Sequence, residues 1–298
     1  MNLRSWLFIP ADSEKKLSKV DETRADAFLL DMEDSVAPSR KQVAREMLPA
    51  FLKERPKQDR KHQLWVRINP LDSEHALSDL AAVVGAEPDG IMLPKANGPQ
   101  DVVCLSNYLS ALETASGVAL GATRILPLVT ETASASLTIH EYVNAQLPRV
   151  HGLTWGAEDL SAALGASSNK DENGEWAFTY KMVRAQTLLA ARAMNVQAVD
   201  TLYVDFRDPE GLATSCKASR IEGFSGRLAI HPAQVEVINR CYMPTAEEVE
   251  LAQQIVDAFD SQPGLGTIGI DGKMYDMPHL KQARRTLETF HAYNKTSS

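Results

Sequence analysis

Eight short apolar, β-branched runs, each followed by a longer segment with helical spacing, recur along the chain at roughly 30–40 residues per unit. The runs are Ser5–Pro10, Ala27–Asp31, Leu64–Ile68, Gly90–Leu93, Ile125–Val129, Gly152–Trp155, Thr201–Val204 and Leu228–Ile230. The helical patterns between them are Glu14–Val20, Lys41–Glu54, Ser73–Val84, Pro99–Ser116, Ala133–Asn144, Thr179–Met194 and Pro209–Ile221. Strict alternation of strand and helix predicts an α/β fold with a parallel sheet, and eight such units predict a closed (β/α)8 TIM barrel. A doubly wound open sheet is the alternative. It is disfavoured because the first run continues as Phe8-Ile9-Pro10-Ala11-Asp12, with no glycine-rich phosphate turn.

The pattern changes after His231. Thr245–Phe259 reads as an acidic amphipathic helix capped by Thr245, with Glu247 and Glu248 in its first turn. A glycine-rich loop over 263–272 follows, and a last helix begins near Pro278. The expected organisation is a barrel over residues 1–235 and a helical lid over residues 236–298. A polar loop, Ser167–Trp176, is expected to be exposed.

Composition narrows the function. The 298 residues are 44% apolar and 23% charged, which excludes a disordered or fibrous chain. A net charge of −8 disfavours a nucleic-acid binder, which needs a basic surface. Cys104, Cys216 and Cys241 are far apart and form no CxxC pair, so neither a disulfide framework nor a zinc site is expected. The apolar run at the start is too short for a signal-peptide core, and nowhere do apolar residues approach a membrane span. These features lead to the expectation of a cytoplasmic protein.

A barrel builds its active site where its strands end. The runs end in Asp31-Met32-Glu33-Asp34, in Arg67 and Asn69, in Pro94-Lys95, in Thr130-Glu131, in Glu158-Asp159, in Asp205 and in His231-Pro232. Each acid alone suits a helix cap or a surface charge, but the set converges on one rim. Glu131 and Asp159 lie 28 residues apart, a strand–helix–strand distance, and carboxylates there suit Mg²⁺ or Mn²⁺ rather than zinc. Arg67 and Lys95 have two readings, a structural ion pair or recognition of a carboxylate or oxyanion. Arg67 suits the second better because its fork holds two oxygens. His231 either caps the barrel or serves the site. Trp155 reads as core and Cys104 as inert.

These rim residues resemble the citrate lyase β-subunit-like family of the HpcH/HpaI aldolase superfamily. The similar stretches run in order through the chain: Arg4–Ala11, Leu30–Ala37, Val66–Asn69, Met92–Lys95, Val129–Thr132, Trp155–Leu160, Tyr203–Asp208 and Ala229–Gln234. The resemblance implies a Mg²⁺-dependent barrel that makes or breaks a carbon–carbon bond in short acyl thioesters. It implies that Glu131 and Asp159 bind the metal, that Arg67 stabilises a thioester enolate, and that Glu33 and Asp34 are acids near metal and substrate. Gly272-Lys273-Met274-Tyr275-Asp276-Met277-Pro278 looks like the lid motif of malyl-CoA and citramalyl-CoA lyases. There the aspartate is the general acid/base and comes from a neighbouring subunit of a trimer or hexamer, so Asp276 is the expected counterpart. A helix N-cap ahead of Pro278 is its structural alternative.

The expected substrates are an acyl-CoA and a 2-oxo acid. Phe8, Arg67, Lys16, Lys19, Arg40 and Lys41 are the candidates for holding the substrate and its CoA. The lysines also suit a solvated helix face. The favoured reaction is cleavage of citramalyl-CoA to acetyl-CoA and pyruvate. Malyl-CoA lyase and malyl-CoA thioesterase chemistry are the alternatives, ahead of a citrate lyase β subunit on acyl carrier protein, an aldolase for free hydroxy-oxo acids, and a non-catalytic binding subunit.

Overall fold

The structure, a computed structural model, describes residues 2–294; Met1 and residues 295–298, at the outer ends of the two expected domains, lie outside the described residues. Eight strands form the first sheet: β1 Ser5–Pro10, β2 Ala27–Asp31, β3 Gln63–Arg67, β4 Gly90–Leu93, β5 Arg124–Pro127, β6 Gly152–Thr154, β7 Gln197–Asp200 and β8 Gly226–Ala229. β2 and β4 are buried at every residue, and this two-sided burial is why they read as unbroken apolar runs. All pairings are parallel, in the order β5-β4-β3-β2-β1-β8-β7-β6. The ends meet through the bridges Ile125↔Val150 and Leu128↔Thr154, with the Val129 N–H donating to Thr154 O at 3.0 Å. The expected (β/α)8 barrel is therefore present.

The helices are α1 Glu14–Leu17, α2 Lys19–Glu22, α3 Lys41–Lys53, α4 Ala76–Val83, α5 Pro99–Ser116, α6 Ala133–Thr138, α7 Glu158–Leu164, α8 Phe178–Ala193, α9 Pro209–Glu222, α10 Pro232–Cys241, α11 Ala246–Ser261 and α12 Met277–Asn294. Among these described helices none is long and apolar enough to cross a membrane.

Strand alternation decides what fills the barrel. Trp6, Leu29, Trp65, Met92, Leu126, Val199 and Leu228 form one buried cluster, with Phe8 and Leu202 packed against it. The Trp6 and Trp65 rings meet edge to face at 5.1 Å. Gly90 is required beside them, because a Cβ there would lie 2.2 Å from the Trp65 ring. Asp31 and Arg67 are two residues beyond Leu29 and Trp65, hence on the same inward face one layer higher, and they sit opposite each other in the β2–β3 register.

The seventh strand corrects the sequence reading. It is Gln197–Asp200 rather than Thr201–Val204, and Asp205 lies exposed in the following loop. Burial at both polar ends hid this strand from a hydrophobic scan. Asp200 is fully buried because it is fully partnered. It accepts from Trp155 Nε1 at 2.6 Å, from Arg184 Nη2 at 3.0 Å, from Arg227 Nη2 at 3.2 Å and from the Thr201 N–H at 2.9 Å. Burial alone would raise its pKa, but the two guanidinium groups outweigh it and hold the carboxyl down at about 2.

Residues from Arg240 onward form a second compact unit, the first being Asn2–Asn239. Its α11 starts with a full capping box: Thr245 Oγ1 accepts from the Glu248 N–H, and Glu248 reaches back to the Thr245 N–H. The segment read as a glycine-rich loop is instead largely a hairpin, β9 Thr267–Ile270 against β10 Lys273–Asp276. Asp271 (φ 48°) and Gly272 (φ 75°) both take left-handed conformations, the requirement of a two-residue hairpin turn that Asp-Gly meets. Ala252, Ile255 and Phe259 of α11 pack with Ile268, Leu280 and Ala283 as this unit's own core.

Asp200→Asn leaves two guanidinium groups at a buried site without their carboxylate and is expected to destabilise the protein by about 3 kcal/mol at pH 7. Because the folded pKa is depressed, the stabilisation is present above the unfolded value near 4 and is lost as pH falls towards about 2. Chemical denaturation of wild type and variant should therefore show the gap narrowing across that window and staying constant above it.

Candidate active site

The loop after β2 carries the first acids. Its shape is set by Asp31, whose carboxylate accepts from the backbone N–H groups of Glu33 (2.9 Å) and Ser35 (3.2 Å). The same carboxylate receives Arg67 Nε at 2.7 Å and Nη2 at 2.6 Å, a bidentate pair. Burial opposes ionisation of Asp31, but the Arg67 pair wins and its pKa is lowered. The Arg67 guanidinium lies 4.6 Å over the Phe8 ring, and its Nη1 is 2.8 Å from Glu33 Oε2. Arg67 therefore has one fixed position. Asp31 takes two of its five N–H donors, so others remain for a ligand.

Lys95 joins the remaining acids. Its backbone is left-handed (φ 50°), unusual for a residue with a side chain. That conformation lets its N–H donate to Glu131 Oε2 at 2.6 Å while its ammonium contacts Glu33 Oε1, and Asp34 Oδ2 and Asp159 Oδ1 at 3.4 Å each. Burial would lower the ammonium's pKa, but these acids hold it well above the usual lysine value.

Glu131 follows β5 and is 4% exposed. Burial, with the charges of Glu33 and Asp159 beside it, pushes its carboxyl up to about 8. Asp159 does not end a strand, as the sequence reading had it. β6 stops at Thr154, and Glu158 and Asp159 form the first turn of α7, a helix absent from that reading. Gly156 stands between: a Cβ there would come 3.3 Å from Glu131 Cγ and 3.6 Å from its Oε1.

Phe8, Asp31, Arg67, Glu131, Gly156 and Asp159 share the wall of one cavity of about 230 Å³. Its electrostatics call for a cation. Among the described residues Asp31, Glu33, Asp34, Glu131 and Asp159 gather around Arg67 and Lys95, with Lys41 behind Glu33, and Glu33 Oε2 faces Arg67 Nη1 at 2.8 Å without a hydrogen bond. The donors are hard oxygens, which suit Mg²⁺ or Mn²⁺. Among the described residues no group of three or more His, Cys, Asp or Glu side chains is arranged to hold a metal. A cation would thus rest on Glu131 and Asp159 and complete its shell with water and ligand oxygens, the habit of Mg²⁺. The donor set fits the group.

The other candidates fall elsewhere. Lys41 is buried, with its ammonium donating to Met32 O and Glu33 O at 2.7 Å each and to Asn69 Oδ1 at 2.8 Å. All three of its N–H donors are engaged, so it does not meet a phosphate; it fixes the Glu33 loop to α3. Asn69 is fixed in turn by Asp79, which Arg45 pairs at 2.8 Å. That buried layer was missed by sequence reasoning, because a polar residue inside a helical pattern carries no signal of burial. Arg40 is half-exposed and pairs with Asp12 at 3.0 Å, Lys19 pairs with Glu22 at 2.5 Å, and Lys16 is exposed. His231 accepts the Ala233 N–H at Nδ1 and stacks on Phe206 at 4.6 Å, which makes it a cap of α10. Trp155 is core, as expected. Asp276 lies in the second unit, at the end of β10, with its Oδ1 2.5 Å from His279 Nδ1.

The chain is similar to known proteins along nearly its whole length. A (3S)-malyl-CoA thioesterase of Cereibacter sphaeroides is 34% identical over 287 residues, covering 95% of this chain and 93% of that protein. A mitochondrial citramalyl-CoA lyase of Rattus norvegicus is 32% identical over 292 residues, covering 94% and 84%. Among solved structures, the protein CitE from Mycobacterium tuberculosis in complex with magnesium, acetoacetate and coenzyme A superposes with a TM-score of 0.79 at 30% identity, covering 97% and 98%. Residues 4–232 match the HpcH/HpaI aldolase/citrate lyase family, and the chain belongs to that family.

Proposed function

We propose that this protein is a Mg²⁺-dependent carbon–carbon lyase for acyl-CoA esters, cleaving citramalyl-CoA to acetyl-CoA and pyruvate. The observation that carries the reading is a single cavity with an acid cluster beside a fixed guanidinium. Relatives that act on citramalyl-CoA and malyl-CoA, and a structural neighbour holding magnesium and coenzyme A, support it.

Glu131 and Asp159 would hold the cation, with Glu33 and Asp34 as acids beside it. The bound cation supplies Lewis-acid polarisation of the 2-oxo acid carbonyl. The substrate hydroxyl gives up its proton to water as its oxygen becomes the carbonyl of the 2-oxo acid, and the electron pair of the breaking carbon–carbon bond moves onto the thioester oxygen. Arg67 meets that oxyanion with N–H donors already oriented by Asp31, so little reorganisation is needed. Asp276 gives the enolate carbon its proton in cleavage and removes one in condensation. Phe8 supports Arg67 from below. Lys16, Lys19 and Arg40 remain the candidates for the CoA phosphates. The protein works as a homo-oligomer, a trimer or hexamer in which the lid of one copy serves the next. The setting we propose is the cytoplasm, in keeping with three cysteines spread far apart in the sequence.

Thioester hydrolysis is the second reading, favoured by the 34% identity to a malyl-CoA thioesterase. Assay of purified protein with Mg²⁺ and each CoA ester separates the two. Release of 2-oxo acid with acetyl-CoA is expected; free hydroxy acid and CoA alone would overturn the lyase reading. Glu131→Gln should abolish metal-dependent turnover and weaken Mn²⁺ binding measured by calorimetry. Arg67→Gln should lower kcat by about 10²–10³-fold while Mn²⁺ still binds. Asp276→Ala should lower kcat by orders of magnitude, again with metal binding intact.

A further inference from the structure

Asp276 does not stand alone. It occupies the position just before α12, and His279 is the third residue of that helix. Three contacts join them: Asp276 Oδ1 to His279 Nδ1 at 2.5 Å, the Asp276 N–H to His279 Nδ1 at 3.2 Å, and the His279 N–H to Asp276 Oδ1 at 3.5 Å. One ring nitrogen therefore has a partner in either protonation state. Protonated, Nδ1 donates to the carboxylate; bare, it accepts the backbone N–H of the same residue. A helix cap needs only the backbone contacts. The ring nitrogen set 2.5 Å from the carboxylate oxygen adds a direct path along which a proton can pass between the two side chains.

We propose that His279 is the positioning residue of an Asp276–His279 acid–base pair, aiming the carboxylate and exchanging a proton with it during each turnover. The proposal rests on the reading of Asp276 as the group that protonates the thioester enolate. In cleavage the Nδ1 proton moves onto the Asp276 carboxylate, which passes it to the enolate carbon, forming the C–H bond. The imidazole recovers a proton from water, and water takes the proton that the substrate hydroxyl gave up, so the turnover balances. Condensation runs the same transfers in reverse. Both side chains are about half exposed (45% for Asp276, 49% for His279), so exchange with water is open.

The surroundings leave this pair electrostatically simple. Asp276 faces uncharged Thr267 across the hairpin, and the edge of the Tyr275 ring packs on the imidazole at 5.4 Å. The hydrogen bond from His279 is the largest cause that holds the Asp276 carboxyl below the ordinary carboxylate range. Losing the imidazole therefore moves the carboxyl upward.

Three variants of the full-length protein test the pair: Asp276→Asn, His279→Ala and His279→Gln. Gln at the third helical position keeps a capping side chain but cannot take and pass a proton. The readouts are the pH profile of kcat, KM, and solvent-deuterium exchange into the methyl group of acetyl-CoA. His279→Ala and His279→Gln should both lower kcat and exchange by about tenfold or more, leave KM within about twofold, and move upward the pH limb that Asp276 governs. A wild-type profile for His279→Gln would make His279 a helix cap only and overturn the proposal, as would an unchanged His279→Ala. Near-normal turnover of Asp276→Asn would instead sink the underlying role of Asp276, whatever the His279 variants do.

Discussion

The bidentate contact between Asp31 and Arg67 is the constraint on which the rest of the site depends. It joins neighbouring strands at the top layer of the barrel interior, and it sets both the direction of the guanidinium and the path of the loop beyond β2. Remove it and Glu33 loses a fixed guanidinium beside it, and the cavity wall loses its one fixed cation. The interaction is buried, where an unpaired charge is expensive, so the two residues can exist there only together. That interdependence turns a flexible arginine into a rigid tool.

Around this pair the negative charge is concentrated by design of the fold. The ends of β2, β3, β4 and β5 and the segments after them, together with the first turn of α7, bring acids and bases to one rim, and the excess of acids gives the rim a demand for a cation. The overall charge of −8 is thus compatible with an anionic substrate. On the function proposed above, the acids would hold a cation and Arg67 would meet the substrate's negative charge, so the net charge of the whole chain does not decide what the rim can bind. Lys41 shows how local this logic is. A lysine that a sequence offers for phosphate binding is instead the clasp that ties the acid-bearing loop to α3.

The barrel was legible in the sequence because strands buried on both faces, such as β2 and β4, leave unmistakable apolar runs. β7 was not, because Gln197 and Asp200 are polar residues made buryable by partners far away in sequence: the Trp155, Arg184 and Arg227 side chains for Asp200, and Leu3 for Gln197. The hairpin of the second unit carried a local signal, Asp271-Gly272 between short apolar stretches, which the density of glycines around it masked. At the site, Arg67, Glu33, Asp34, Glu131 and Asp159 were all visible as strand-end polar groups. What no sequence displays is the left-handed turn at Lys95 that lets one residue serve several acids, or the contact of His279 with Asp276.

The joint between β5 and β6 differs from every other in the barrel. The other neighbours are paired along a continuous ladder, whereas these two meet at single bridges. Glu131 follows one side of that joint and Asp159 follows the other. A ligand that engages both carboxylates therefore also fastens the barrel across its most thinly stitched seam. A ligand that bound only the joined form would then stabilise the barrel by its own binding free energy.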